Sequence, residues 1–248
     1  NLTVYEKNNK MQEIFKDYYN KLHENEKEEF MKKVIEKQQE TESEIQKEYE
    51  KTIIYRILIN NRNIEYKAQG EVPGHVLNQF SMDENRGFFR IATTTGETWR
   101  DTSLNHLYVL DEDLSIVGSV EDLAKGERIF STRFMGDRAY MVTFRQVDPL
   151  FVIDLSDPEN PEVLGYLKVT GFSNYLHPVG DDLLLGIGHE ATEQGRAQGL
   201  KISLFDVSDF ENPVELDKYV VESDWSYSEA EYEHKAVLFD DDKNLLVI

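Results

Sequence analysis

Two patterns of apolar and polar positions divide this sequence. Between residues 10 and 51, Lys and Glu dominate, Gly and Pro are absent, and apolar residues fall at helical spacing. Side chains spaced in this way line one face of an amphipathic helix, and the pattern predicts two such helices. The apolar positions are Met11, Ile14, Phe15, Tyr18 and Leu22 in the first, and Phe30, Met31, Val34 and Ile35 at the start of the second.

A capping signal lies between the two predicted helices. Asn25 is followed three residues later by Glu28, which has the form of a capping box, so we predict a turn at residues 23–25 and a helix start near Glu26. We therefore predict a helical hairpin in residues 1–52. A free coiled coil or a partner-binding helix is the alternative, because the apolar stripe fades beyond Ile35.

From Ile53 onward the pattern changes to short β-branched and aromatic runs separated by turn residues. The first two runs, residues 53–59 and 64–71, flank an Asn-rich segment and predict a β-hairpin. After them a unit of four strand-like runs recurs. The turns between its first and second runs fall at residues 83–87, 136–137, 180–182 and 240–243, roughly fifty residues apart.

The clearest copies of this unit are FVIDLSDPENPEVLG at residues 151–165 and LFDVSDFENPVELDK at residues 204–218. In each copy, a strand-like run ends at Asp and a D-x-S-D-x-x-N-P segment follows. Asp and Ser bond back to the chain and Pro fixes φ, so the segment predicts a turn. Calcium needs six to eight oxygen ligands, which neither copy supplies, and we therefore predict no metal there.

A repeat of about 40–50 residues with four short strands is typical of propeller blades, whereas a parallel α/β fold would need helix-length crossovers. The predicted fold is all-β: a β-propeller segment of about three whole blades plus partial blades in residues 53–248, with the N-terminal α-helical hairpin. Propellers usually close with four or more blades. We expect a segment of a longer protein, whose missing blades come from the rest of the natural chain or from a second copy.

Composition narrows the partners. Lys and Arg number 27 against 48 Asp and Glu, giving a net charge of -21, which argues against nucleic acid and anionic lipid and favours cationic partners or ions. No apolar run approaches the roughly 20 residues that span a bilayer, so no transmembrane segment is predicted. Cys is absent, which excludes disulfides and thiolate metal sites.

Several long segments also resemble a known family. These are LNQFSMDENRGFFRIATTTG, GERIFSTRFMGDRAYMVTFRQVDPLFVIDLSDPENP, GFSNYLHPV and ISLFDVS. They look like a prokaryotic family of secreted proteins with a C-terminal β-propeller domain distantly similar to WD repeats. The resemblance implies a propeller and an extracytoplasmic location, secreted or at the cell surface. That family has no established activity, catalytic residues or cofactor, so the resemblance implies none.

Propeller wiring places the loops between second and third strands on the same face as the loops between blades. Here these are residues 94–106, 189–199 and 222–233, with a short loop at 145–149. Long loops that carry Trp and Arg on a rigid scaffold are common binding surfaces. We predict a ligand-binding face that includes Trp99, Arg100, His189, Arg196 and Trp225. Loop Trp residues that only pack their own loops are the alternative.

Counting back four positions from the acidic turns puts Gln79, Arg133 and His177 in register on the first strands, with His234 displaced by two. These four polar side chains would ring the channel. Hydrogen bonding between neighbouring blades is the alternative role. An amide, a guanidinium and imidazoles together suit an anion or carboxylate better than a metal, and we predict no metal or other cofactor.

The sequence leaves enzymatic activity open. It contains no G-x-S-x-G elbow, no Cys and no H-E-x-x-H pair. The first hypothesis is an extracytoplasmic binding or interaction module for a protein or small-molecule ligand. The alternative is a propeller hydrolase or lyase with a His/carboxylate site at the channel mouth, and this would require a carboxylate beside His177 or His234. A third possibility is a purely structural propeller, whose long loops would carry no concave pocket.

Overall fold

The computed structural model describes residues 3–145, 148–192, 194–223 and 226–248. The chain divides into two compact units, Asn1–Ile45 and Gln46–Ile248. Helix α1 spans Val4–Lys21 and helix α2 spans Glu24–Tyr49.

The first unit is built on contacts between the two helices. Thr3 caps α1 in a capping box with Glu6. The Phe30 ring of α2 lies 5.3 Å from that of Phe15 and 5.1 Å from that of Tyr18, both on α1. Aromatic pairs at these distances add to the burial of apolar area, so they hold the helices together.

The predicted start of the second helix is wrong by two residues. Helix α2 begins at Glu24, and Asn25 lies within it rather than capping it. The His23 backbone N–H donates to Glu26 Oε2 at 2.8 Å. A carboxylate that accepts from an N–H group at the N-terminus stabilises the start of a helix. Glu26 therefore caps α2, a role that we had predicted for Asn25 and Glu28.

The second unit begins with a β-hairpin, β1 (Lys51–Asn60) paired with β2 (Asn63–Pro73). The hairpin predicted from the Asn-rich segment is therefore confirmed. Three antiparallel blades follow in the described chain, and in the second and third of them the strands pair in chain order. Two strands of a further sheet come last.

The first blade contains β3 (His75–Val76), β4 (Met82–Asn85), β5 (Phe88–Thr95), β6 (Leu104–Leu110) and β7 (Ile116–Leu123), with β3 and β4 both pairing with β5. The second contains β8 (Arg128–Met135), β9 (Arg138–Phe144), β10 (Asp148–Asp154) and β11 (Glu162–Val169). The third contains β12 (Phe172–Val179), β13 (Leu183–Ala191), β14 (Ala197–Asp206) and β15 (Val214–Val220). The last sheet pairs β16 (Leu238–Asp240) with β17 (Leu245–Val247). The all-β propeller prediction is confirmed in this arrangement.

The core lies between successive blades. One buried cluster joins Leu107 and Val109 of the first blade to Met141 and Ile153 of the second. Another joins Val142 and Val152 of the second blade to Leu176 and Phe205 of the third. Sheets pack face to face about 10 Å apart through such layers of apolar side chains, so each blade is stabilised by its neighbours.

The repeated Asp-rich segments form turns between the third and fourth strands of their blades. In the second blade, Asp154 Oδ1 accepts the Ser156 N–H at 3.0 Å, and Asp157 Oδ1 accepts the Glu159 N–H at 3.0 Å. In the third blade, Asp206 Oδ1 accepts the Ser208 N–H at 2.9 Å. The Asn160 side chain donates to Asp157 Oδ2 at 3.0 Å, and the Ser208 hydroxyl donates to Asp206 Oδ1 at 2.6 Å. These side-chain hydrogen bonds, followed by the backbone ones, lower the pKa of Asp157 and of Asp206.

Each of these turns also presses on a glycine in the outer strand of the preceding blade. A Cβ on Gly165 of β11 would lie 2.5 Å from the Glu211 carbonyl oxygen and 2.6 Å from that of Phe210. Gly118 of β7 meets the Pro158 carbonyl in the same way. Contacts this short leave no room for a side chain, so glycine at these positions allows the blades to dock.

Candidate ligand-binding site

Arg133 of β8 links the inner strands of two blades. Its Nε and Nη2 donate to the Leu176 carbonyl of β12 at 2.8 and 2.7 Å. The guanidinium lies 4.3 Å from the centre of the Phe80 ring and 5.2 Å from that of Tyr175. Burial lowers the pKa of Arg133. A guanidinium stacked on aromatic faces is stabilised by cation–π attraction, which offsets part of its desolvation.

His177 continues this network along β12. Its Nδ1 lies 3.2 Å from the Tyr175 hydroxyl. Burial lowers the pKa of His177, and the Arg133 charge lowers it further. We assign the Tyr175 hydroxyl as the donor in this contact, and a neutral imidazole that accepts at Nδ1 carries its proton on Nε2. His177 therefore presents an Nε2–H donor.

Gln79 and His234 meet although they are far apart in sequence. Gln79 Nε2 lies 3.1 Å from His234 Nδ1, and the His234 ring packs edge-on to Phe80 at 5.3 Å. Glu233 Oε1 also lies 3.4 Å from His234 Nδ1, but this oxygen already accepts the Lys235 N–H at 3.1 Å. We assign the shorter contact as the hydrogen bond, which leaves His234 with an Nε2–H donor as well.

The local structure around Gln79 and His234 differs from the prediction. We placed both on first strands, but Gln79 lies in a short 3-10 helix, Gln79–Ser81, and His234 in another, His234–Ala236. The Asn78 side chain accepts from the Phe80 N–H at 2.9 Å and so caps the first of them. Side chains that bond to their own backbone in this way compete with strand pairing.

The structure thus brings together the four residues that we predicted at the channel. Together with Phe80 and Tyr175 they form what we call the inner-strand cluster: Gln79, Phe80, Arg133, Tyr175, His177 and His234. Its chemistry is two N–H donors and a guanidinium on an aromatic wall. Such groups suit a ligand that accepts hydrogen bonds, whereas binding a metal at Nε2 would reverse both histidine tautomers.

Acid–base catalysis would need a carboxylate paired with one of these histidines. Asp241 acts on His177 only as a neighbouring charge that raises its pKa, and His234 is hydrogen bonded to Gln79 in preference to Glu233. Within the part of the chain that the structure describes, His177 and His234 are therefore each hydrogen bonded to a side chain other than a carboxylate.

Among the described residues of the predicted loop face, Trp99, Arg100 and Arg196 make contacts within their own segments. Trp99 is 72% exposed and its Nε1–H donates to Glu97 Oε2 at 3.1 Å. Arg100 stacks on Trp99 at 4.4 Å. Arg196 is exposed in the segment after β13. These contacts are local to each loop, and Trp225 lies outside the described residues.

His189 has a different environment from the one expected. It lies on β13 rather than in a loop, and its Nδ1 contacts the Gln198 carbonyl at 2.9 Å. Its Nε2 lies 2.8 Å from Glu231 Oε2, which makes no other polar contact in the described chain. Glu231 is 4% exposed, and its Oε1 accepts the Ser228 N–H at 3.0 Å. Both partners of His189 are acceptors. Because Glu231 precedes the last sheet and His189 lies on β13, the contact between them joins that segment to the third blade.

The residues that support these side chains were not among the predicted site residues. Phe80 and Tyr175 provide the aromatic wall, and Tyr175 also sets the tautomer of His177. The spacing of Ser228 and Glu231 is that of a capping box, and this signal could have indicated the buried carboxylate.

Among the described residues, one other cluster has the composition of a metal site. His106, Glu121 and Asp122 place their ligand atoms within 4.8 Å of one another. Lys47 already fills the space between the carboxylates, because its Nζ lies 2.7 Å from Glu121 and 2.9 Å from Asp122. Burial opposes ionisation of Glu121, but the hydrogen bond and charge of Lys47 lower its pKa overall. His106 Nδ1 accepts the Asp122 N–H at 3.2 Å, so this cluster is a structural ion-pair network.

Neither α1 nor α2, as described, is apolar and long enough to cross a membrane.

Comparison with known proteins identifies the family. The beta propeller domain model matches residues 3–248, which include the helices. An uncharacterized protein of Methanocaldococcus jannaschii is 50% identical over 186 residues, and one of Archaeoglobus fulgidus is 44% identical over 194 residues. The aligned parts cover 75% and 78% of this chain but only 29% of either relative. The chain therefore belongs to the beta propeller domain family.

Proposed function

We propose that this chain is the binding module of a longer extracytoplasmic protein, and that the inner-strand cluster holds a ligand carrying a carboxylate or a similar anionic acceptor. The supporting observation is the shared state of two histidines. His177 and His234 each have Nδ1 occupied by a neighbouring side chain, so each offers Nε2–H. The Arg133 charge beside them favours an anion.

The charges near the inner-strand cluster differ from the charge of the whole chain, and this difference would make anion binding specific. The whole chain carries a net charge of -21, so an anion is repelled at long range. Arg133 and the imidazole N–H groups provide a local region where an acceptor is favoured. An anion held there would have to be recognised by direct hydrogen bonds, which gives specificity rather than general electrostatic attraction.

The extracytoplasmic location rests on the family resemblance in sequence. Detecting the natural protein in the envelope or secreted fraction of its source cells would support it. Detection only in the cytosolic fraction would remove this part of the proposal and leave the binding site untouched.

The binding proposal is tested by titrating the protein with acetate, succinate and a peptide that ends in a free carboxylate. Histidine side-chain signals in ¹⁵N NMR spectra report on His177 and His234 directly. We expect the Nε2–H signals of both to shift on binding, and His177→Ala to weaken the affinity at least about tenfold, since charge-assisted hydrogen bonds contribute about 1.5–3 kcal/mol.

The matched control is His75→Ala, which removes an exposed imidazole on β3. It should leave the affinity unchanged. Shifts that are equal at His75, or affinity that survives the His177 substitution, would contradict binding at the inner-strand cluster.

A further inference from the structure

A cavity of about 450 Å³ lies between the β1–β2 hairpin and the first blade, within the second unit. It opens beside the β4–β5 and β6–β7 turns. Ile54 of the hairpin, Phe89 of β5 and Leu114 of the β6–β7 turn contribute its apolar lining and belong to one hydrophobic cluster. Its volume falls in the range of small-molecule sites. A small molecule of this size would contact the apolar side chains of Ile54, Phe89 and Leu114.

The charged lining of this cavity is mainly acidic. Glu84, Asp111 and Glu112 line it together with a single cation, Arg56. Arg56 Nη1 donates to the Glu112 carbonyl at 2.6 Å and lies 3.5 Å from Glu112 Oε2. Arg56 therefore balances Glu112, and two negative charges are left without a cationic partner in the described lining.

Each of those two carboxylates has one oxygen engaged by its own turn. Glu84 Oε1 accepts the Gly87 N–H at 2.9 Å. Asp111 Oδ1 accepts the Asp113 and Ser115 N–H groups, both at 2.9 Å. These bonds fix the carboxylates in place. The second oxygens, Glu84 Oε2 and Asp111 Oδ2, receive no hydrogen bond from the part of the chain that the structure describes.

The next inter-blade groove provides an internal comparison. A cavity of about 180 Å³ occupies the corresponding place between the first and second blades. Arg86 and Arg90 line it, and Arg86 Nη2 lies 2.9 Å from Asp137 Oδ2. A groove therefore forms at both of these contacts between neighbouring sheets, but the charges of the residues that line it differ between the two. The acidic character of the larger cavity is a property of its own residues.

We propose that the larger cavity binds a primary ammonium group on a short aliphatic chain. The ammonium donates to Glu84 Oε2 and Asp111 Oδ2, and the aliphatic chain lies on Ile54, Phe89 and Leu114. The net charge of -21 raises the local concentration of such cations. This site is separate from the inner-strand cluster and does not depend on the function proposed for it.

The test is a titration with n-pentylammonium, followed by calorimetry and by the methyl NMR signals of Ile54 and Leu114. We expect saturable binding with shifts at these methyl groups. Methylammonium, which lacks the chain, and 1-pentanol, which lacks the charge, should each bind at least about tenfold more weakly, since the site uses both parts of the ligand. A lysine derivative with both backbone ends blocked is compared with n-pentylammonium. Tighter binding of the lysine derivative indicates a protein side chain as the natural source, and weaker binding indicates a free amine.

The decisive variant is Glu84→Gln with Asp111→Asn, because both amides keep the acceptor that each turn needs. We expect it to weaken n-pentylammonium binding about tenfold or more. Glu159→Gln with Glu162→Gln removes the same charge from exposed positions in and beside the second-blade turn and should change the affinity less than about twofold.

Equal losses in the two double variants would show diffuse attraction to an acidic surface and would overturn the proposal. So would 1-pentanol binding as tightly as the ammonium, or no saturable binding at all. If the double variant loses its native circular dichroism spectrum, Glu84→Gln alone is the test, and an affinity unchanged from that of the unsubstituted protein overturns the proposal.

Discussion

Acidification should destabilise this protein through His106, before most carboxylates are protonated. The His106 side chain is fully buried. Its Nδ1 accepts the Asp122 N–H, and its Nε2 lies 2.9 Å from Thr95 Oγ1, so the neutral ring fits both partners. Burial, reinforced by the Lys47 charge, lowers the pKa of His106 to about 4.

The sign and size of the effect follow from this pKa. The unfolded chain binds the proton at about pH 6.5 and the folded chain only near pH 4, so the stabilisation is complete above pH 6.5 and is lost as the pH falls towards 4. At about 1.4 kcal/mol per pH unit, the full loss is about 3 kcal/mol, of which about 2 kcal/mol is lost by pH 5.

Urea unfolding followed by circular dichroism at pH 7.5, 6.5 and 5.0 measures this loss. His106→Gln should lower the free energy of unfolding at pH 7.5, because the Asp122 N–H loses its acceptor. Its stability should then fall by about 2 kcal/mol less between pH 7.5 and 5.0 than that of the unsubstituted protein. The exposed His75→Gln serves as the control. The reasoning is refuted if His106→Gln and the unsubstituted protein show the same dependence on pH.

Two further predictions concern packing and the buried ion pair. Gly165→Ala should cost about 3 kcal/mol because its Cβ meets the turn of the next blade, whereas Gly136→Ala, with open space around the Cβ but a positive φ, should cost about 1 kcal/mol. Equal thermal unfolding temperatures for the two variants would disprove the docking contact. A double-mutant cycle of His189→Gln and Glu231→Gln should give a coupling energy of about 2 kcal/mol by urea unfolding. The same cycle on the exposed Lys33–Glu29 pair of α2 should give a coupling energy of at most about 0.5 kcal/mol. A His189–Glu231 coupling energy no larger than that would contradict the interpretation as a buried ion pair.

The repeat was visible in the sequence because blade strands are short, local and bounded by turn residues. Each Asp that ends a third strand bonds to the backbone two residues later, so the turn is encoded within a few positions. The start of α2 was predicted wrongly because Asn25 and Glu26 both offer capping oxygens. The sequence alone does not say which of the two is used.

The inner-strand cluster was partly predictable for a different reason. Arg133 and His177 occupy equivalent positions in consecutive blades, so counting from the turns finds both. Gln79 and His234 are 155 residues apart and meet only through tertiary packing. Their 3-10 helices break the strand register, and no local pattern indicates which ring stacks on Phe80. Their role in ligand binding stays a prediction.

The contact between a glycine and the following turn also bears on how blades could be duplicated. Gly118 and Gly165 pair with Val109 and Val152 at equivalent places in their sheets, and each receives a turn from the neighbouring blade. The glycine and the turn that packs on it belong to different blades. The smallest unit that could be duplicated with this contact intact therefore runs from the outer strand of one blade to the turn of the next, and its ends do not coincide with those of a single sheet. Asp217 occupies this position in the third blade, so grafting another copy behind it would also require glycine there.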